Sequence, residues 1–268
     1  MFMENETVVV KNKISYVYYK THSEADTIIF LHDSLGCIEL WRDFPKKLGE
    51  KTGCNIFIYD RHGYGKSGSF LKESRDNLYM EEEADVLMEL LETLSIEKPI
   101  LFGHSDGGSI ALIFAGKYPQ LPKAIITVGA HIFVEDVTVK GIQDAEEAYK
   151  TTNLKQKLEK YHGEKTENLF NAWTKTWQTE DFSQWNIEKF LPSIICPSLI
   201  IQGEDDEYGT LKQVERTVDQ ISGYSEAFVI PNAKHTPYKE VPEVVMEKCT
   251  SFIENVVHET SKKTIFEK

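Results

Sequence analysis

The alternation of short apolar, β-branched runs with segments of helical periodicity constrains this 268-residue chain most. The middle and later runs, such as Ile28–Leu31, lack polar alternation, which is expected for strands covered on both faces of a parallel sheet. Strands separated by helices predict an α/β protein with a doubly wound, mostly parallel eight-stranded sheet. The predicted strands are Thr7–Val10, Ile14–Tyr19, Asp26–Leu31, Cys54–Tyr59, Pro99–Gly103, Ala124–Val128, Pro197–Gln202 and Ala227–Ile230.

Helical patterns fill most of the connections between these runs. The segment Asn77–Leu94 places Met80, Ala84, Leu87 and Leu91 on one stripe, as an amphipathic helix requires. The first two strands alternate more than the others and are predicted as an antiparallel pair at one edge. The further predicted helices are Gly108–Lys117, Leu211–Ile221 and Val241–Val257.

One long segment contains no convincing strand. Residues 134–191 are polar and helical in pattern, and a structureless loop of this length is uncommon in a compact domain. We therefore predict a helical cap over residues 134–191, inserted into a core domain of residues 1–133 and 192–268. Phe170, Trp173 and Trp177 share one helix face. Trp173 and Trp177 either line a substrate pocket or bury the cap against the core.

Charge and cysteine usage exclude several classes of partner. The net charge of −13 disfavours nucleic acid and anionic membrane surfaces. The N-terminal residues lack the pattern of a signal peptide, and no stretch approaches 18 apolar residues. The four cysteines are scattered, which favours reduced thiols and a cytoplasmic location. The oligomeric state is not predictable from the sequence.

The segment from Gly103 to Gly107 carries the strongest chemical signal. It has the form Gly-x-Ser-x-Gly, with Ser105 between a predicted strand and a predicted helix. That context is typical of a nucleophile elbow, in which a strained turn presents the serine and flanking glycines avoid clashes. A glycine-rich turn with an incidental serine is the alternative.

A serine nucleophile needs a base and an acid farther along the chain. His235 lies just after the last predicted strand, and carboxylates including Asp205 and Asp206 follow the strand before it. The order Ser, Asp, His, at the carboxyl ends of parallel strands, is that of one catalytic architecture. A surface acid patch and a solvated loop histidine are the alternative.

Four landmarks together resemble the α/β-hydrolase superfamily over almost the whole chain. They are the Ser105 elbow, the late Asp206 and His235, the loop Leu31–Gly36 and the turn Tyr59–Ser67. The Gly-x-Ser-Asp-Gly-Gly form resembles the biphenyl-hydrolase-like branch, which includes amino-acid ester hydrolases. In the family pattern Gly-x-x-Asp, the acid is the fourth residue. With Gly203 as the first residue, the pattern selects Asp206. The less favoured acids are Asp205 and, more remotely, Glu135 or Asp136.

The resemblance also implies an oxyanion hole made of two main-chain N–H groups, those of Ser34 and Asp106. Asp33 stands where the family usually has glycine, and aspartate tolerates left-handed backbone better than most residues. The Asp106 side chain either pairs with a substrate ammonium, as the resembling amino-ester hydrolases imply, or serves the protein's own structure. Asp33 would add negative potential to the same substrate-binding region.

These observations together predict a serine hydrolase of small carboxylic esters, acting through an acyl-enzyme on Ser105, with amino-acid esters as a candidate subclass. A small-molecule ester is the expected partner, and no cofactor or metal is implied. Two alternatives stay open. One is a hydrolase of a carbon–carbon bond in a ring-cleavage product, and the other is a non-catalytic, ligand-binding protein of this fold.

Overall fold

The computed structural model describes residues 2–72 and 75–266 and contains one eight-stranded sheet. The strands are β1 (Phe2–Val10), β2 (Asn12–Lys20), β3 (Thr27–Leu31), β4 (Asn55–Tyr59), β5 (Ile100–His104), β6 (Ala124–Val128), β7 (Ser198–Gly203) and β8 (Ser225–Ile230). Their order is β1-β2-β4-β3-β5-β6-β7-β8. β2 is antiparallel to both its neighbours, and all other pairs are parallel. The predicted doubly wound, mostly parallel sheet with an antiparallel pair at one edge is confirmed.

Helices cover both faces of this sheet. They are α1 (Phe44–Thr52), α2 (Tyr79–Leu94), α3 (Asp106–Lys117), α4 (Asp136–Thr151), α5 (Leu154–His162), α6 (Thr166–Trp177), α7 (Glu180–Ser183), α8 (Lys212–Gln220), α9 (Pro237–Glu240) and α10 (Pro242–Phe266). Short 3-10 turns occur at Ile38–Trp41, Gly163–Lys165 and Glu188–Ser193.

Successive side chains of the parallel strands enter two different apolar layers. In β3, Ile28 and Phe30 pack into the layer shared with α1 and α10. The alternate residues Ile29 and Leu31 pack into the layer shared with α2 and α3. Both layers exclude water, so burial stabilises apolar residues at every position of the strand. This arrangement explains the unbroken apolar run.

The structure differs from the sequence prediction mainly at element ends. β1 begins at Phe2 instead of Thr7, because it pairs with β2 along its whole length. α3 begins at Asp106, two residues before the predicted start. Helix α1 was not predicted: Phe44–Thr52 contains both proline and glycine and buries only a short apolar stripe.

The segment between β6 and β7 is helical, as its polar pattern predicts. α4 to α7 lie there, and the chain passes from α7 through a 3-10 turn to β7. Ile142 of α4 and Trp173 and Trp177 of α6 line a cavity at the carboxyl ends of the parallel strands. We retain as a proposal the division into a core of residues 1–133 and 192–268 and a cap of residues 134–191.

Candidate active site

Ser105 lies in the sharp turn between β5 and α3. Its φ of 53° and ψ of −120° form a backbone conformation that is strained for any residue with a side chain. A Cβ atom at Gly103 would overlap the carbonyl group of Gly107, and one at Gly107 would overlap the carbonyl group of Leu31. Both flanking positions therefore require glycine, and the helix starts directly behind the serine.

The loops after β7 and β8 bring Asp206 and His235 together. His235 Nδ1 lies 2.9 Å from both carboxylate oxygens of Asp206. Asp206 Oδ1 also accepts a hydrogen bond of 2.9 Å from the Tyr208 main-chain N–H. Asp206 is buried, whereas the neighbouring Asp205 is exposed. The more remote candidate Glu135 instead accepts hydrogen bonds from Thr210 and Gln213.

The two side chains shift each other's pKa. Burial acts to raise the pKa of Asp206, but the charge and hydrogen bond of His235 outweigh it and lower that pKa. Burial acts to lower the pKa of His235, and the Asp206 carboxylate outweighs it and raises that pKa. The pair therefore favours an ionised carboxylate and a histidine that takes up a proton readily.

Ser105 and His235 line the same cavity of about 230 Å³. Ser34 from the loop after β3 and Asp106 from the start of α3 also border it. Within residues 2–72 and 75–266, the main-chain N–H groups of Ser34 and Asp106 donate no hydrogen bond. Neither N–H group is therefore occupied by an acceptor of the described chain.

The Asp106 carboxylate has three partners within the protein. Its Oδ1 accepts a hydrogen bond of 2.6 Å from Ser34 Oγ, and its Oδ2 accepts one of 3.1 Å from the Tyr79 hydroxyl. Arg61 Nη2 lies 3.4 Å from Oδ2, and the arginine side chain is fully buried. This is the structural role that the sequence left open for Asp106, and it disfavours a substrate ammonium as the partner of that carboxylate.

Arg61 and Tyr79 were not identified as site residues from the sequence. Arg61 Nη2 also donates to the main-chain oxygen of Asp33, at 3.0 Å, and so supports the loop that contains Ser34. The one available signal was the charge of Arg61 in the turn after β4, but that turn also contains Asp60 and Lys66, so the charge did not single out Arg61. Tyr79 gave no signal, because its position on α2 fits the apolar stripe.

Asp33 is held by the protein as well. Its Oδ1 accepts a hydrogen bond of 2.8 Å from the Leu35 main-chain N–H, and its Oδ2 lies 3.2 Å from His104 Nδ1. Burial acts to raise the pKa of Asp33, but the hydrogen bond from His104 outweighs it and lowers that pKa far below its usual range. The side chain is 22% exposed, so Asp33 also forms part of the cavity wall.

Trp173 and Trp177 are both buried and both line the cavity. Trp177 Nε1 donates a hydrogen bond of 3.0 Å to the Tyr79 hydroxyl, which links α6 to the network around Asp106. The Trp173 ring packs against Phe170 and Tyr208. The sequence left open whether these side chains line a pocket or pack the segment against the core. Trp173 and Trp177 do both, because they line the cavity and also pack α6 against neighbouring residues.

No group of three or more His, Cys, Asp or Glu side chains in the described part of the chain is arranged to hold a metal ion. All four cysteines are buried and free. No helix among the described residues is long and apolar enough to cross a bilayer.

Residues 26–170, just over half of the chain, match the model of the alpha/beta hydrolase fold family. The human protein named serine hydrolase BPHL is 27% identical over 238 residues, covering 85% of this chain and 79% of that protein. The 2-hydroxy-6-oxo-6-phenylhexa-2,4-dienoate hydrolase of Comamonas testosteroni is 26% identical over 220 residues, covering 72% of this chain and 75% of its own. The crystal structure of MGS-M2, an alpha/beta hydrolase from a Medee basin deep-sea metagenome library, superposes with a TM-score of 0.74 at 21% identity, covering 92% and 96% of the two chains. The chain thus belongs to the alpha/beta hydrolase fold family and is a hydrolase of that type.

Proposed function

We propose that this protein is a serine hydrolase of small carboxylic esters. The observation that carries the proposal is the hydrogen bond between His235 and Asp206, at 2.9 Å, in a cavity that the strained Ser105 also lines. A carboxylate, an imidazole and a serine hydroxyl are the parts of a catalytic triad. Ser105 is the proposed nucleophile, His235 the base and Asp206 the acid.

In the proposed reaction, Ser105 Oγ attacks the ester carbonyl carbon while His235 Nε2 takes the hydroxyl proton. The main-chain N–H groups of Ser34 and Asp106 stabilise the oxyanion of the tetrahedral intermediate. Collapse breaks the ester C–O bond, and His235 returns the proton to the leaving alcohol. The acyl-enzyme is then hydrolysed by water, from which His235 takes a proton, and Ser105 is restored.

The cavity supports a small substrate. Its volume of about 230 Å³ lies below the usual range of ligand pockets. Asp33, Asp106 and Glu207 line it, and no lysine or arginine of the described residues does so. Arg61 lies against Asp106 and His104 lies against Asp33, so Glu207 is the lining carboxylate that remains to attract a cation. Its charge supports amino-acid esters as the preferred subclass.

A second reaction is supported by the similarity to the Comamonas testosteroni dienoate hydrolase. That protein's name describes hydrolysis of a dienoate, and the corresponding proposal for this chain is the hydrolysis of a carbon–carbon bond in a ring-cleavage product. The acidic lining of the present cavity is unfavourable for an anionic dienoate, so we place this reaction second.

Labelling with a fluorophosphonate probe tests the nucleophile. We expect wild-type protein to be labelled and Ser105→Ala to remain unlabelled, because only an activated serine reacts quickly. Labelling that persists in Ser105→Ala would remove Ser105 as the nucleophile.

A matched pair of substrates tests the substrate class. An L-valine ester and the analogue with hydrogen in place of the amino group differ in the ammonium group, whose intrinsic effect on ester reactivity is given by the ratio of their hydroxide-catalysed rates. After division by that ratio, we expect kcat/KM to favour the amino ester by about tenfold or more, roughly 1.4 kcal/mol of transition-state binding. Equal rates would leave a general esterase. Turnover of a dienoate but of neither ester would support carbon–carbon hydrolysis instead.

A further inference from the structure

A second histidine and carboxylate lie beside Ser105, and the proposed mechanism uses neither. His104 directly precedes Ser105, is 2% exposed, and its ring centroid lies 5.0 Å from that of His235. Its Nδ1 lies 3.2 Å from Asp33 Oδ2, and its Nε2 lies 3.0 Å from the main-chain oxygen of His235. One imidazole therefore contacts the loop after β3 and the loop after β8.

Both partners of the His104 ring are hydrogen-bond acceptors. The carbonyl oxygen of His235 has no proton to donate, and an ionised Asp33 carboxylate has none either. A neutral imidazole carries one N–H and one lone pair, so it would leave that lone pair facing an oxygen at 3.0 or 3.2 Å. The imidazolium form donates at both nitrogens and satisfies both oxygens.

Two other buried histidines provide a comparison within the same molecule. Each has one acceptor and one donor among its partners, which a single neutral tautomer satisfies. The His32 ring contacts the carbonyl oxygen of Asp33 at 2.8 Å and the main-chain N–H of Arg61 at 3.1 Å. The His162 ring contacts the carbonyl oxygen of Leu35 at 3.0 Å and the main-chain N–H of Gly65 at 3.0 Å.

The charged and titratable groups around His104 have opposing effects. Burial acts to lower the pKa of His104 and outweighs the Asp33 carboxylate, which acts to raise it, while His235 and Lys239 lower it further. The Tyr238 ring packs at 5.1 Å. The hydrogen-bond geometry opposes this lowering, because loss of the second proton would leave one of the two oxygens facing a ring lone pair in a buried site.

We propose that Asp33 and His104 form an imidazolium–carboxylate pair that positions His235 and the Ser34 loop around Ser105. This inference rests on the proposed function. Both members are positioning residues: His104 acts through the main chain of His235, and Asp33 acts through the Leu35 turn. The φ of Asp33 is not positive, so the expectation of a left-handed backbone at this position is wrong.

Nitrogen-15 NMR of the histidine rings in the whole protein tests the protonation state directly. Substitution of each histidine by glutamine assigns the signals. At pH 7.5 we expect two protonated ring nitrogens in His104 and one each in His32 and His162. A single protonated nitrogen in His104 would overturn the proposal. The measurement needs no substrate, so its result stands whether or not the protein hydrolyses esters.

Two variants of Asp33 test the positioning role. In Asp33→Asn, the amide N–H can donate to His104 Nδ1, the amide oxygen can keep the Leu35 N–H, and a neutral His104 can still donate to His235. Asp33→Leu removes both hydrogen bonds. On the uncharged ester we expect kcat to fall about threefold for the asparagine variant and roughly thirtyfold for the leucine variant, with KM within about twofold in both.

The asparagine variant also gives the decisive contrast. We expect its His104 to show only one protonated ring nitrogen by NMR, and retention of two would overturn the proposal. A raised KM for the amino ester alone would show that Asp33 binds the substrate ammonium, which also overturns it. Circular dichroism confirms that the variants are folded. If neither ester is turned over by wild-type protein, the proposed function fails while the NMR comparison still tests the pair.

Discussion

The backbone of Ser105 stores strain that can be measured. Its left-handed φ of 53° costs about 1–3 kcal/mol for a residue with a Cβ atom, and glycine avoids this cost. Glycine has a more flexible unfolded chain than alanine, which offsets about 0.4–1 kcal/mol of this advantage. We therefore expect Ser105→Gly to be more stable than Ser105→Ala by about 1 kcal/mol, measured by urea denaturation, although both are inactive.

Glu215, an exposed residue of α8, provides the matched control for this comparison. At a helical position without strain, the order should reverse, with alanine about 1 kcal/mol more stable than glycine. The same order at both positions would show that the Ser105 backbone is not strained.

Adjacent aspartates allow a test of the proposed triad acid. We expect Asp206→Asn to lower kcat by roughly 10³- to 10⁴-fold, because the amide no longer stabilises the protonated His235. Exposed Asp205 makes no such contact, and Asp205→Asn should change kcat by about twofold or less. Equal losses in both variants would contradict the assignment of Asp206.

The raised pKa of His235 has a consequence for the pH profile. His235 must be neutral to act as base, so kcat/KM should fall on the acid side with an apparent pKa above the ordinary histidine value of about 6.5. The shift comes from the Asp206 carboxylate, so residual activity in Asp206→Asn should persist to lower pH. An unchanged acid limb in that variant would contradict this cause.

Residue types at the site were predictable from local sequence, but their partners were not. Glycines around Ser105 and the acid cluster near Asp206 are visible in short segments. Arg61 and Tyr79 meet Asp106 across separations of 45 and 27 residues, so only the folded chain brings them together. The choice between a substrate partner and a protein partner for Asp106 depended on those contacts.

At the scale of elements, one hydroxyl group connects α6 with α2 and α3. Tyr79 on α2 accepts from Trp177 of α6 and donates to Asp106 of α3. We expect Tyr79→Phe to destabilise the protein by about 1–3 kcal/mol, because it leaves a buried indole N–H and a carboxylate oxygen each without one partner. Chemical denaturation measures the loss.

Tyr161 provides the control for this prediction. Its hydroxyl accepts an exposed hydrogen bond of 2.9 Å from Arg42, so Tyr161→Phe should cost about 0.5 kcal/mol or less. Similar losses in both variants would show that the Tyr79 hydroxyl has no special structural role.

Strands were the most predictable elements, because burial on both faces leaves an unmistakable apolar run. All eight were predicted, with ends displaced by a few residues. Helix α1 was not predicted because its start contains Pro45, its interior contains Gly49, and its buried apolar stripe is short. Its position depends on packing against α10, which no local pattern reveals.

For the whole molecule, the net charge of −13 predicts a salt dependence. A negative surface concentrates cationic substrates near the cavity, and salt screens this effect. We expect kcat/KM for the amino ester to fall about two- to threefold between 0.02 M and 0.5 M salt. The uncharged analogue should change little, and an equal fall for both substrates would rule out electrostatic attraction.

The link from Trp177 through Tyr79 to Asp106 also limits how the pocket can diversify. A smaller residue at position 177 would enlarge the cavity but also release Tyr79, which holds the side chain of Asp106, whose N–H is proposed for the oxyanion hole. Such a variant would accept larger substrates, but its kcat for the substrates that already fit would fall. Trp173 lines the same wall through ring contacts with Phe170 and Tyr208. Substitutions at position 173 can alter specificity without disturbing the hydrogen bonds of Tyr79. Lineages that acquire new substrates should therefore change position 173 before position 177.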